Sequence, residues 1–213
     1  PILFSSLSRL QNNENEFKHM FFRFQKIVGI LVIPMGVGIF CFKDLVTELL
    51  LGKQWLEASG FIGLWGLTSS ITIVLSHYAS EVYRAKGKPK LSVLAQMLHI
   101  IVLWPTVFIA VRYGFEILCI SRAFVRFQGI LVNLAIMHLI LNISPIKMVY
   151  NVLPSCISAI IMACVYFMLP YTNFIVVQIM NIVICILIYF TFICLFEEER
   201  KIIFNFKRTL KKN

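Results

Sequence analysis

The sequence predicts an all-α fold, a polytopic bundle of six membrane-spanning helices. Three observations predict it. Hydrophobic residues make up 59% of the 213 and charged residues only 14%, against about 45–50% and about 25% in soluble domains. The apolar residues are gathered into six runs, 24–50, 58–83, 91–111, 115–141, 148–169 and 174–196. Each run has the length of roughly 20 residues that a helix needs to cross a hydrocarbon core of about 30 Å. Third, Lys and Arg fall almost entirely on one side of the topology that six crossings produce.

The first run contains Pro34 beside Gly36 and Gly38. A proline lacks the N–H that would bond four residues back, so a kink is expected there, mended by neighbouring helices. Upstream, Phe17, Phe21, Phe24 and Val28 recur at helical spacing with Lys18 and Arg23 off that line. This predicts an amphipathic interfacial helix leading into the first span, with a solvated linker as the alternative. The third, fifth and sixth runs are nearly free of charge. Asn142, Ser144 and Pro145 supply a cap-and-start signal for the fifth. Residues 200–212 mix six basic residues with Ile202, Ile203, Phe204, Phe206 and Leu210, a stop-transfer tail or a surface for anionic headgroups.

Charge sets the orientation. Both ends share a side with the loops at 84–90 and 142–147. That side carries Arg9, Lys18, Arg23, Lys26, Arg84, Lys86, Lys88, Lys90, Lys147 and six more beyond residue 199, fifteen in all. The opposite loops hold only Lys43, Lys53 and Arg112. The bias places the termini in the cytoplasm and 52–57 and 171–173 outside. It also accounts for the net charge of +10 without nucleic acid as a partner. Membrane lipids are the partner it implies.

Recognisable catalytic chemistry is absent. Asp44 is the sole aspartate, no glycine-rich phosphate loop occurs, and none of the four histidines begins an H-x-x-x-x-D pattern. The six cysteines, Cys41, Cys119, Cys156, Cys164, Cys185 and Cys194, all lie in apolar runs without metal-ligand spacing, as small hydrophobes. No catalytic residue, metal or cofactor is predicted, and the chain reads as no enzyme. It opens at Pro1 without Met, in what reads as the end of a helix over 1–7. A fragment lacking its N-terminal part is the expectation.

Polar stripes inside the runs carry the functional signal. Arg122, Arg126, Gly129 and Asn133 share one helical face of the fourth run. Arg126 lies about 16 Å from the outer start of that helix at about 1.5 Å per residue, near the bilayer midplane. An arginine there costs at least about 2.5–3.5 kcal/mol unless a wet cavity or a partner compensates it. A cavity-lining role is favoured over a structural pairing with backbone carbonyls, Glu116 or Glu81. In the second run Ser70, His77, Glu81 and Arg84 form another stripe. His77 and Glu81 could relay a proton or cation, although an interfacial Glu81–Arg84 pair is the simpler reading. Ser92, Gln96 and His99 either line a path or hydrogen-bond between helices, and Gly60, Gly63 and Gly66 predict close helix packing.

The opening Pro1-Ile-Leu-Phe-Ser-Ser-Leu-Ser-Arg-Leu-Gln11 resembles the end of the eighth helix in polysaccharide flippases of the MATE-like exporter superfamily. Pro34 with Gly36 and Gly38, Leu51-Gly52-x-x-Trp55, Ala85-Lys86-Gly87-Lys88 and Tyr113-Gly114 follow in the family's order. The likeness is nearest to the lipopolysaccharide and exopolysaccharide exporters of the colanic-acid type. It implies a fourteen-helix fold with two six-helix lobes around a central cavity. Residues 1–26 would then close a preceding helix and add a cytoplasmic amphipathic segment. Residues 27–141 would be four spans of the second lobe, 142–196 two additional spans, and 197–213 a basic cytoplasmic tail. The implied activity is alternating-access flipping of an undecaprenyl-pyrophosphate-linked oligosaccharide across the bacterial inner membrane. The implied partners are that lipid-linked glycan and polysaccharide polymerase machinery. By analogy Arg126 and Arg122 would engage the anionic headgroup; Asn133, on the same helical face, is a further substrate-binding candidate, and His77 and Glu81 are the candidate coupling relay. A cation-coupled small-molecule exporter of the same superfamily and a non-transporting membrane scaffold are the alternatives.

Overall fold

Helix-forming apolar runs, punctuated by glycine, proline and asparagine, give an all-helical chain. The computed structural model describes residues 2–170 and 174–210, the backbone alone at Ile2, Ser6 and 205–210. Helix α1 covers Ile2–Arg9 and α2 Glu14–Cys41, followed by the short α3, Lys43–Leu51. A 3-10 turn, Lys53–Ala58, leads into α4, Ser59–Thr72, then a π-helical turn, Ile73–His77, and α5, Ala79–Ala85. Helix α6 is Lys90–Ala110, α7 Phe115–Leu141, α8 Pro145–Met168, α9 Ile175–Ile193 and α10 Glu197–Leu210. Six segments are long and apolar enough to cross a membrane: Glu14–Cys41, Lys53–Ala85, Lys90–Tyr113, Phe115–Leu141, Pro145–Met168 and Ile175–Ile193. The protein is a multi-pass membrane protein. The expected outer loop at 171–173 lies outside the described residues.

The first span differs from expectation at both ends. Its helix begins at Glu14, where Asn13 caps it by accepting from the Glu16 N–H. It ends at Cys41, and the apolar residues beyond form the separate α3. The line Phe17, Phe21 and Val28 does not face a lipid surface. Phe17 and Phe21 are buried with Leu3 and Leu7 of α1, Val82 and Tyr83 of α5, and Met137 and Met148. That cluster gathers α1, the start of α2, α5, the end of α7 and the start of α8 at one end of the bundle. The loops at 84–90 and 142–147 therefore share an end with α1. Lys86 reinforces it, donating to the Gln11 carbonyl at 3.1 Å and standing 4.3 Å above the Phe17 ring.

Helix α2 is the axis on which α4 and α8 pack. Small residues allow the α4 approach. A Cβ added at Gly36 would stand 2.9 Å from the Gly66 carbonyl oxygen and collide with the Ser70 side chain. Gly66 meets Ile39 and Gly63 meets Lys43, whereas Gly38 and Gly60 face open space. The predicted packing row thus works through two of its three glycines. On the other flank, α2 continues through Pro34. The carbonyl that the proline leaves without a donor is that of Ile30, and the buried Tyr189 hydroxyl of α9 donates to it at 2.8 Å. The turns follow the chemistry of their residues. Asn142 ends α7 in the left-handed region at φ 51°, and the Ser144 side chain accepts from the Lys147 N–H with Pro145 in the first turn of α8.

Candidate functional site

A polar cavity of about 550 Å³ opens between the second span, α6 and α7. Three helices supply its walls. From the second span come Ser69, Thr72, Ser76, His77, Ser80 and Tyr83; from α6, Ser92, Gln96 and His99; from α7, Arg126, Gly129 and Asn133. The stripe Ser92, Gln96 and His99 lines this space whole, that of α7 from Arg126 to Asn133, and that of the second span only through His77. Ser70 does not face the cavity; it is buried against Gly36 and donates to the Leu67 carbonyl at 2.7 Å. Ser69, Thr72, Ser76 and Ser80 recur at three- and four-residue intervals on one helical face, and Ser70, one residue on, is turned roughly 100° from Ser69. A π-helical turn, Ile73–His77, lies within this stripe. Gln25 holds that turn, its amide donating to the Val74 carbonyl at 3.3 Å while Asn151 donates to Gln25 at 3.1 Å.

Arg126 is the cation of this cavity. Its guanidinium carbon lies 3.3 Å from the centroid of the half-buried Trp65 ring, and it donates to the Ser69 hydroxyl. Neither Glu116 nor Glu81 approaches it, and among the described residues no carboxylate lies within ion-pair distance of Arg126. A cation stacked on an aromatic face and left without a counter-ion has its remaining donors available to an anionic ligand. Arg122 sits apart. It is 5.8 Å from the same Trp65 centroid and lines a separate, mostly apolar recess with Trp104, Phe108 and Arg112. Nothing in the sequence marks Trp65 as a site residue. Its partnership with Arg126 arises only when α4 packs on α7.

Asn133 ties the walls together. Its amide donates to the Ser76 hydroxyl at 2.9 Å and to the Gly129 carbonyl at 3.0 Å, and the buried Tyr83 hydroxyl donates to its side-chain oxygen at 3.0 Å. The contacts brace α7 against the second span. His77 reaches the cavity, packed edge-on to Tyr78 at 5.7 Å. Glu81 is not among the lining residues; it pairs with Arg84. Missing from the sequence reading are Ser69, Thr72, Ser76, Ser80 and Tyr83, whose recurrence at three- and four-residue intervals is a legible helical stripe. Among the described residues no cluster of His, Cys, Asp and Glu could hold a metal ion.

Comparison with known proteins adds two findings. A family model described as polysaccharide biosynthesis protein matches residues 1–60. The fold resembles that of the lipid II flippase MurJ in its inward closed conformation, with a TM-score of 0.70 and 17% sequence identity over 93% of this chain. The aligned region is 43% of that chain, so the present chain spans less than half the length of the flippase it resembles. At this identity the likeness speaks to the fold. No curated protein matches the sequence.

Proposed function

We propose that the chain forms one wall of a flippase that moves a polyprenyl-pyrophosphate-linked oligosaccharide across the bacterial inner membrane by alternating access, for surface polysaccharide synthesis. The observation that carries the reading is Arg126, a cation with no carboxylate partner among the described residues, on the wall of a polar cavity within a membrane bundle. Such a charge is retained in a bilayer where water, a partner or a substrate compensates it. A guanidinium stays ionised and offers a planar donor set matched to phosphate oxygens. The matched family description and the fold shared with a lipid II flippase support the same substrate class.

In this reading Arg126 holds the pyrophosphate, Arg122 provides a shallower contact toward the outer end, and Asn133 keeps the walls in register. The termini and the basic loops lie in the cytoplasm, and the lipid-linked glycan and membrane lipids are the partners. A cation-coupled exporter would call for an acidic group in the cavity, and Glu81 is turned to Arg84 instead. Deleting the gene tests the proposal. Loss of surface polysaccharide with build-up of the lipid-linked oligosaccharide on the inner leaflet is the expected result. Unchanged surface polysaccharide, in a strain with no second exporter, would refute it.

A further inference from the structure

The α6 wall of the cavity differs in chemistry from the α7 wall. It carries Ser92, Gln96 and His99 at i, i+4 and i+7, and no charged residue. The hydrogen bonds around His99 fix its tautomer. The Gln128 amide nitrogen donates to the Leu98 carbonyl at 3.3 Å, and its oxygen stands 3.1 Å from His99 Nδ1. A backbone carbonyl only accepts, so the end of Gln128 facing Leu98 must be the NH₂ group. The other end is then a carbonyl oxygen, also an acceptor, and His99 Nδ1 must carry the proton. A neutral imidazole has one donor and one acceptor, which leaves Nε2 with its lone pair.

The ring's position sets where that lone pair can act. A Cβ added at Gly129 would stand 3.2 Å from Nδ1, so the Nδ1 edge is pressed against α7. The opposite edge carries Nε2 and faces away from that backbone. Nε2 has no hydrogen-bond partner among the described residues. On the same wall the Ser92 hydroxyl is buried without a partner. Buried or half-buried polar groups lacking partners are costly, and a wall of neutral ones suits a ligand rich in hydroxyls.

We propose that this α6 wall is the carbohydrate subsite and that His99 determines its specificity, Nε2 accepting a hydrogen bond from a hydroxyl or amide N–H of the sugar joined to the pyrophosphate. The proposal rests on the flippase reading and deepens it. Arg126 takes the anion, and His99 distinguishes a glycosylated diphosphate from a bare one.

The test measures binding of two probes to the full-length protein in nanodiscs, farnesyl pyrophosphate and farnesyl-pyrophosphoryl-glucose. They share tail and diphosphate and differ by one sugar. His99→Leu should weaken the sugar-bearing probe by about fivefold to tenfold, as one hydrogen bond allows, and leave the sugar-free probe within about twofold. Arg126→Ala should weaken both. Equal loss of both probes in His99→Leu, or loss of neither, overturns the proposal while leaving the flippase reading in place. A wild-type protein that binds neither probe overturns both. ¹⁵N NMR of histidine-labelled wild-type protein near neutral pH supplies a check that needs no variant to fold. A proton on Nδ1 of His99 is expected, and one on Nε2 alone overturns the assignment.

Discussion

Replacing Tyr189 by phenylalanine removes one oxygen atom and exposes how α2 tolerates Pro34. In the native protein the Ile30 carbonyl has no helical N–H to accept from, because residue 34 is proline, and the Tyr189 hydroxyl donates to it at 2.8 Å. Interhelical hydrogen bonds in membranes average about 0.6 kcal/mol and reach about 1.7, while stranding a buried acceptor costs about 1–3. Tyr189→Phe should therefore destabilise the protein by about 1–2 kcal/mol. Pro34→Ala restores the helical N–H, so in that background the same change should cost about 0.5 kcal/mol or less, a coupling near 1 kcal/mol. Ser155 also hydrogen-bonds to Tyr189. That contact is lost equally in both backgrounds and cancels in the cycle. Reversible unfolding by detergent titration, followed by tryptophan fluorescence, measures the four variants. An equal cost of Tyr189→Phe with and without Pro34 would refute the reasoning.

Further predictions concern packing, topology and the C-terminal helix. Gly36→Ala should destabilise by about 1–3 kcal/mol through overpacking, and Gly38→Ala, with open space around it, should be near neutral in the same assay; equal effects would refute the α2–α4 contact. In a background lacking the six cysteines, a cysteine at Gln54 should react with an impermeant reagent in intact cells and one at Lys88 should not, and the reverse pattern would invert the topology. Lys26 ion-pairs with Glu198 and Glu199, and its hydrogen bond holds the Glu198 carboxyl below the ordinary carboxylate range. A depressed carboxylate stabilises above its ordinary value and loses that contribution as pH falls through the lowered one, so a spin label at Ile203 should gain mobility as pH falls below the ordinary carboxylate range. In Lys26→Ala the label should already be mobile at neutral pH, and a label indifferent to both changes would show that the clasp does not hold α10.

The spans that the sequence delimits well are those ended by backbone chemistry. α7 runs from Phe115 to Leu141, as its apolar run predicts, because Gly114 at φ 99° and Asn142 in the left-handed region stop it on either side. The first span ends at Cys41, short of the run read as apolar, and the charged pair Lys43 and Asp44 directly after Phe42 marks that break in the sequence. The π-turn is hidden from the sequence, since its support comes from Gln25, 49 residues before the Val74 carbonyl that it holds. Ser69 rather than Ser70 shares a helical face with Thr72, Ser76 and Ser80, a spacing the sequence already contains. Arg126 is legible from the cost of a midplane charge. What compensates it is not, because Trp65 and Ser69 meet Arg126 only through the packing of α4 on α7.

In the proposed function an anionic lipid-linked glycan crosses the membrane through the cavity that Arg126 lines. Translocation in proteoliposomes tests this most directly, with full-length protein and a polyprenyl-pyrophosphate-linked oligosaccharide whose outer-leaflet fraction is read by an impermeant glycan-modifying enzyme. Protein-dependent movement is expected, with partial activity in Arg126→Lys and loss in Arg126→Ala at unchanged thermal stability. Wild-type translocation by a folded Arg126→Ala protein would contradict it.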